Sequence, residues 1–144
     1  MKIVENQTFD EERALYGEAD VLVRDCAFDG PADGESDIEE CRDVRAERCL
    51  FNLRYPFWHD SGLTIRDSEM TEKCRAALWY SDHVEITGSR LHGIKALREC
   101  SEVTMEDCRI VSAVIWLVCA ETKDAPLLRR ERIFYDALGG PAIF

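Results

Sequence analysis

The sequence predicts an all-β fold, a right-handed parallel β-helix of about five to six short coils with a short helical cap at its start. Three observations carry this reading. Five segments align without gaps, "VLVRDCAF" at 21, "VRAERCLF" at 44, "LTIRDSEM" at 63, "VEITGSRL" at 84 and "VTMEDCRI" at 103, with starts 23, 19, 21 and 19 residues apart. Each has apolar residues at its first and third positions, Cys or Ser at the sixth and a large apolar residue at the eighth. A second register precedes them: Ile38, Phe57, Leu78 and Leu97 lie six residues before the starts, and Cys41, Asp60, Ser81 and Cys100 lie three before.

Each segment reads as a short strand with period-two alternation, a bend, and a second strand. The preceding register adds one more inward apolar residue and a corner of small or polar type. Coils of this size stack at about the 4.8 Å inter-strand spacing, so like residues form ladders along the axis. Cys26, Cys49, Ser68, Ser89 and Cys108 form one ladder, and Cys41, Ser81 and Cys100 belong to another. A leucine-rich-repeat-like solenoid is the alternative; it wants Leu three residues before each strand, where this chain has Cys41, Asp60, Ser81 and Cys100.

The ends differ from the middle. Residues 1–20 form the cap, since "TFDEERALYGEAD" combines helix-favouring residues with an acidic start. Coils are expected over residues 21–120, with Cys119 in the place of Cys100 one coil later. Thr122, Asp124, Pro126 and Arg129 then occupy places where the repeat wants apolar or small residues. Residues 121–144 therefore read as an irregular tail, with a short helix over Leu127, Leu128, Ile133 and Phe134 before a Gly-Gly-Pro stop.

At 144 residues the chain is one domain. A net charge of −11 argues against nucleic acid and anionic membrane as partners, because both are bound through basic faces. The start "MKIVENQTFDEER" lacks signal-peptide character, and no window has the apolar length of a membrane span, which together predict a cytoplasmic protein. Seven cysteines without a CxxC, and His59, His83 and His92 without zinc-ligand spacing, point to reduced thiols used as small core residues, with no metal or cofactor.

The segments "IVENQTFDEERALYGEADV", "NLRYPFWHDSGL", "CRAALWYSD" and "LHGIKALRECSEV" closely resemble a bacterial domain-of-unknown-function family, number 3737. The resemblance covers residues 1 to about 112 and implies a single-stranded, right-handed β-helix of the pectin-lyase type. It implies no activity. Family members are about twice as long, and residues 113–144 depart from them; such a loss of pattern is what a shifted reading frame or a truncated gene would produce.

The stretch "NLRYPFWHD" at 52–60 holds the densest set of candidate site residues. In the repeat register Arg54 lies under Arg75, Trp58 under Trp79 and Arg98, and His59 under Tyr80 and Glu99. If Phe57 and Leu78 point inward, Trp58 and Trp79 point outward. With Arg54, Arg75, Tyr80, Lys95 and Arg98 they predict an aromatic and cationic surface suited to a sugar ring or planar anion. The same stacking also serves purely to hold coils together.

Catalysis has weaker support. His59 next to Asp60 suits acid or base chemistry, although a hydrogen-bonded turn is the commoner meaning. Asp33, Glu35 and Asp37 read as a solvated loop, Glu69 and Asp82 are further carboxylates, and "HGIK" at 92 is only faintly similar to motifs of galacturonan hydrolases. The leading expectation is a binding scaffold for a carbohydrate-like or anionic ligand or a protein. The alternatives are a carbohydrate-active lyase, hydrolase or isomerase, and a truncated inactive product whose open coil end favours homo-oligomers.

Overall fold

The protein is described by a computed structural model over residues 1–75, 77–92, 97–112, 127–131 and 134–137. It is a parallel β-solenoid with three sides, its strands numbered here in chain order. The first side stacks β1 (Lys2–Glu5), β3 (Ala19–Arg24), β6 (Arg42–Glu47), β9 (Ser61–Arg66), β12 (Asp82–Thr87), β15 (Ser101–Glu106) and β17 (Leu127–Glu131). The second stacks β2 (Thr8–Phe9), β4 (Ala27–Phe28), β7 (Leu50–Phe51), β10 (Glu69–Met70), β13 (Arg90–His92), β16 (Arg109–Ser112) and β18 (Phe134–Ala137). The third stacks β5 (Ile38–Glu39), β8 (Phe57–Trp58), β11 (Leu78–Trp79) and β14 (Leu97–Arg98). With strands on three sides and no α-helix among the described residues, the leucine-rich-repeat alternative falls away.

Neighbouring coils pair in the register that the repeats predict. Val21, Val44, Leu63, Val84 and Val103 are successive partners on the first side. Ile38, Phe57, Leu78 and Leu97 are successive partners on the third. Inward positions fill the core with Val21, Val23, Phe28, Phe51, Phe57, Ile65 and Ile86, each at most 1% exposed. Phe9, Phe28 and Phe51 stack along the axis with centroids 5.1 and 4.9 Å apart, and Phe57 meets Phe51 from the third side at 4.7 Å.

Each coil turns its corners through left-handed residues. After the first side these are Asn6, Asp25, Arg48, Asp67, Gly88 and Asp107; after the third they are Glu40, His59, Tyr80 and Glu99. Apart from the exposed Gln7 on the first coil, the residue after each of these corners then points inward, where space favours a small side chain. Cys26, Cys49, Ser68, Ser89 and Cys108 are all buried at the first corner, as the ladder predicts. Gly62, with φ +72°, occupies a left-handed position that Asp43 and His83 also adopt on the neighbouring coils, and its missing Cβ leaves room for the Asp43 carboxylate on the coil below.

Both ends differ from expectation. Residues 11–17 form turns, not a helical cap. Their backbone is satisfied by the next coil: Arg13, Leu15 and Gly17 donate their N–H groups to the carbonyls of Glu35, Asp37 and Glu39, at 3.0, 2.8 and 2.9 Å. Alternate-residue bonding of this kind extends the third side, and Leu15 is buried beneath it. At the other end, Leu127, Leu128 and Phe134 lie in strands, not in the expected helix, and β17 and β18 continue the first and second sheets. Ile133 and Cys119 lie outside the described residues. Among those described, no helix is long and apolar enough to cross a membrane.

Candidate functional site

The third side has the shortest strands and the most distinctive outer row. In β8 and β11 the first residue, Phe57 or Leu78, is fully buried, so the second, Trp58 or Trp79, faces out and is half-buried. Register places Glu39, Trp58, Trp79 and Arg98 in one row. The two indoles are 4.5 Å apart and tilted by 50°. Tyr80, just past Trp79 at the corner, lies 5.7 Å from its ring at 16° and 5.9 Å from Trp58. Tyr55 closes the other flank with its ring edge-on to both, at 6.0 Å from Trp58 and 5.6 Å from Trp79. Four rings thus form one cluster, with Tyr80 47% exposed. Tyr55 escaped the sequence reading because it sits in a loop of variable length, where the repeat assigns no face.

The cations are less free than the sequence suggests. Arg54 is held by the loop before β5, 3.0 Å from Asp33 and 3.6 Å from Glu35. Those two carboxylates are therefore ion-pair partners on an exposed loop. Arg13 meets Glu39 at 3.0 Å and lies over the Tyr16 ring. Arg75 is exposed at the end of the single helical turn Glu72–Cys74. Arg98 holds its predicted register position above Trp79, and Lys95 lies outside the described residues.

His59 and Asp60 face opposite ways. His59 has φ +57° and projects outward, its Nδ1 2.5 Å from Glu40 Oε1. Asp60 follows the corner inward and is 1% exposed. Its Oδ1 accepts the Cys41 N–H at 2.9 Å, and its own N–H donates to Ser81 Oγ at 3.2 Å. Among the described residues Oδ2 has no hydrogen-bond partner. Burial pushes the Asp60 carboxyl up to about 8, the Cys41 N–H opposes this, and Glu40 and Glu39 reinforce it.

Asp60 forms part of the wall of a hollow of about 340 Å³ with Glu40, Asp43, His59, Ser61 and Asp82. Asp82 is held ionised by hydrogen bonds from His83 at 2.7 Å and Ser61 at 2.7 Å. His83 also pairs with Glu102 and is raised by both acids, Asp82 first. A larger groove, about 800 Å³, follows the first corner past Asp25, Arg48, Asp67 and Arg90. It is the weaker candidate: Arg48 and Asp25 already satisfy each other there at 2.8 and 3.2 Å.

The remaining candidates are dispersed. Asp37 is fully buried with neither carboxyl oxygen bonded among the described residues, and burial, then Glu11 and Asp10, push it up to about 8. Nothing in its local sequence distinguishes it from its neighbours Asp33, which is exposed, and Glu35, which is half-buried. His92 is half-buried, lowered chiefly by burial, and 3.8 Å from Glu69; Gly93, Ile94 and Lys95 of its motif lie outside the described residues. The six described cysteines are all buried and unbridged. Burial pushes Cys41 and Cys74 up to about 12 and Cys49 up to about 11, which makes them inert as nucleophiles near neutral pH. Among the described residues no group of three or more His, Cys, Asp and Glu side chains can hold a metal.

No curated protein matches this chain. The profile of a family described as protein of unknown function, DUF3737, matches residues 2–124, so the family resemblance extends past residue 112, where the sequence segments place its end. That match takes in the aromatic row, both corner ladders and the hollow, and the chain belongs to this family.

Proposed function

We propose that this protein is a binding scaffold whose third side takes up a carbohydrate-like ligand on Trp58, Trp79 and Tyr80, with Tyr55 as support. The observation that carries the reading is the four-ring cluster built outward from two-residue strands. Burying two tryptophans only halfway leaves apolar ring surface at the solvent boundary, and a sugar's C–H face covers such surface while its hydroxyls stay wet. The engagement of Arg54 with Asp33 and Glu35 makes an anionic ligand or a protein partner the lesser form of this proposal.

Finer features belong to the same proposal. Crossovers between parallel strands favour right-handed winding, as in pectin-lyase-type coils. Six unbridged thiols suit a reducing compartment such as the cytoplasm. A second copy docking on the coil end is the partner that light scattering tests.

Scanning fluorimetry against neutral sugars, amino sugars, uronates and phosphorylated sugars tests the proposal. A bound ligand raises the midpoint, and Trp79→Ala is expected to remove the shift. A shift that survives Trp79→Ala places the ligand elsewhere. A second reading, a carbohydrate-active enzyme, draws on Asp60, which carries a proton near neutral pH as a general acid must. Turnover of a bound glycoside that is lost in Asp60→Asn would favour it.

A further inference from the structure

The corner after the third side is laddered by Cys41, Ser81 and Cys100, and Asp60 puts a carboxyl among them. That carboxyl is 1% exposed; Oδ1 accepts the Cys41 N–H at 2.9 Å, and Oδ2 has no hydrogen-bond partner among the described residues. A neutral carboxyl tolerates such a place far better than a carboxylate, which needs several donors or a cation.

The charges around it leave a carboxylate unsupported. On the coil below, Glu39 is paired with Arg13 and Glu40 is bonded to His59. On the coil above, Asp82 is bonded to Ser61 and His83, and His83 also meets Glu102. Arg42 and Asp43 are exposed on the outer wall of the corner, whereas Asp60 points inward. The Cys41 thiol, pushed up to about 12 chiefly by burial, keeps its own proton.

The same corner holds the backbone of both tryptophans. The Glu40 N–H donates to the Trp58 carbonyl at 3.0 Å, and the His59 N–H to the Trp79 carbonyl at 2.8 Å. The Asp60 N–H donates to Ser81 Oγ at 3.2 Å, and that hydroxyl donates onward to the Trp79 carbonyl at 3.4 Å. Trp79 is therefore tied twice to the chain at His59 and Asp60. His59, at φ +57°, is a non-glycine residue in left-handed backbone, so the corner gains by relaxing there.

We propose that Asp60 gates the aromatic row: with its proton the corner stays folded inward and Trp58 stacks on Trp79, and without it the corner turns outward, the stack opens and the row loses its ligand. As control of ligand uptake this rests on the reading of the row given above; the movement of the rings does not. The proton passes to solvent, and the carboxylate reaches water through the hollow of about 340 Å³ that adjoins the corner. In doing so it gives up the Cys41 N–H, and the turn of residues 59 and 60 breaks both ties to the Trp79 carbonyl. Burial pushes Asp60 up to about 8, against the Cys41 N–H and with Glu40 and Glu39, which sets the changeover just above neutral pH.

The indole N–H resonances of Trp58 and Trp79, followed in the full chain without ligand from about pH 6 to about pH 9, test the gate. Both are expected to move together and reversibly as the Asp60 carboxyl carbon titrates, with the far-ultraviolet circular dichroism unchanged. Asp60→Asn cannot ionise and keeps an acceptor for the Cys41 N–H; it should lose the transition. Asp60→Ser, which copies the rung at Ser81, should lose it too and serves if the asparagine variant does not fold. Asp37→Asn, which removes the other buried carboxyl, should keep it. An indole transition that survives in either Asp60 variant overturns the gate, as does an Asp60 carboxyl that titrates without moving the indoles or does not titrate in this range.

Glucose and N-acetylglucosamine, neutral throughout, read the effect on uptake. One pH unit above the changeover about a tenth of the molecules keep the proton, so either sugar should bind about tenfold more weakly at about pH 9 than at about pH 6, and equally at both in Asp60→Asn. Binding independent of pH in the native chain overturns the control of uptake. An indole transition with neither sugar bound at either pH defeats the reading of the row and leaves the gate of the rings standing.

Discussion

The two inward corners of the solenoid are built to the same geometry and filled with different chemistry. At the first, every member from Cys26 to Cys108 is a neutral thiol or hydroxyl, and each is satisfied along the axis. Ser68 Oγ accepts the Cys49 N–H at 3.1 Å and donates to the Arg66 carbonyl at 2.9 Å; Ser89 Oγ accepts the Ser68 N–H and donates to the Thr87 carbonyl. The other corner has the same ladder in Cys41, Ser81 and Cys100, but Asp60 interrupts it with a carboxyl that has one oxygen more than the ladder can use. A corner that needs only a small acceptor is fully served by serine. Asp60 therefore costs stability that the fold does not require, which is the pattern of a residue kept for a site.

The largest effect should come from the shared core, which sets the scale for both corners. Phe51, fully buried between Phe28 and Phe57, is expected to cost about 3–5 kcal/mol when changed to Ala, measured by urea denaturation. A loss below about 1 kcal/mol would mean that coils stack without depending on their central rings.

Next comes the pH dependence that separates the corners. Asp60 is pushed up to about 8 when folded, against an unfolded value near 3.9, so the folded state binds the extra proton. Its stabilising protonation is complete below about pH 4 and is lost as pH rises through 8, at a slope of about 1.4 kcal/mol per pH unit. Asp60→Ser should remove this share of the slope and leave that of Asp37, which has the same sign. Cys49→Ser, at the first corner, should leave the slope unchanged because its thiol titrates only near 11. Identical pH profiles for the two serine variants would erase the distinction between the corners.

Trp79→Ala should cost about 1–3 kcal/mol, less than a core aromatic because the indole is half-buried among Tyr55, Trp58 and Tyr80. A cost as large as that of Phe51→Ala would make the aromatic row architecture. The smallest effect is expected at the first corner's surface: Arg48→Ala, which breaks the solvent-facing pairs with Asp25 and Glu47, should leave the melting midpoint unmoved.

The inward half of this molecule was legible in the sequence because a solenoid repeats its inward constraint. Val21, Val44, Leu63, Val84 and Val103 announce their own register, and Phe57 and Leu78 fix which way Trp58 and Trp79 must face. What lies outside the repeat was not legible. Arg54 finds Asp33 and Glu35 through a loop whose length differs from coil to coil, so no spacing rule pairs them. His59 and Asp60 read as neighbours, yet a left-handed corner sends one out and the other in. The acidic segment 11–17 resembles a helix start by composition, but backbone pairing with the next coil wins over local propensity.

The most direct test of the account is amide chemical-shift mapping of the full chain with glucosamine and with glucose. Perturbations confined to residues 55–59 and 78–80 are the predicted result for either sugar. Perturbations centred on Arg48, Asp67, Gly88 and Arg90 would instead place the site in the groove at the first corner, and contradict it.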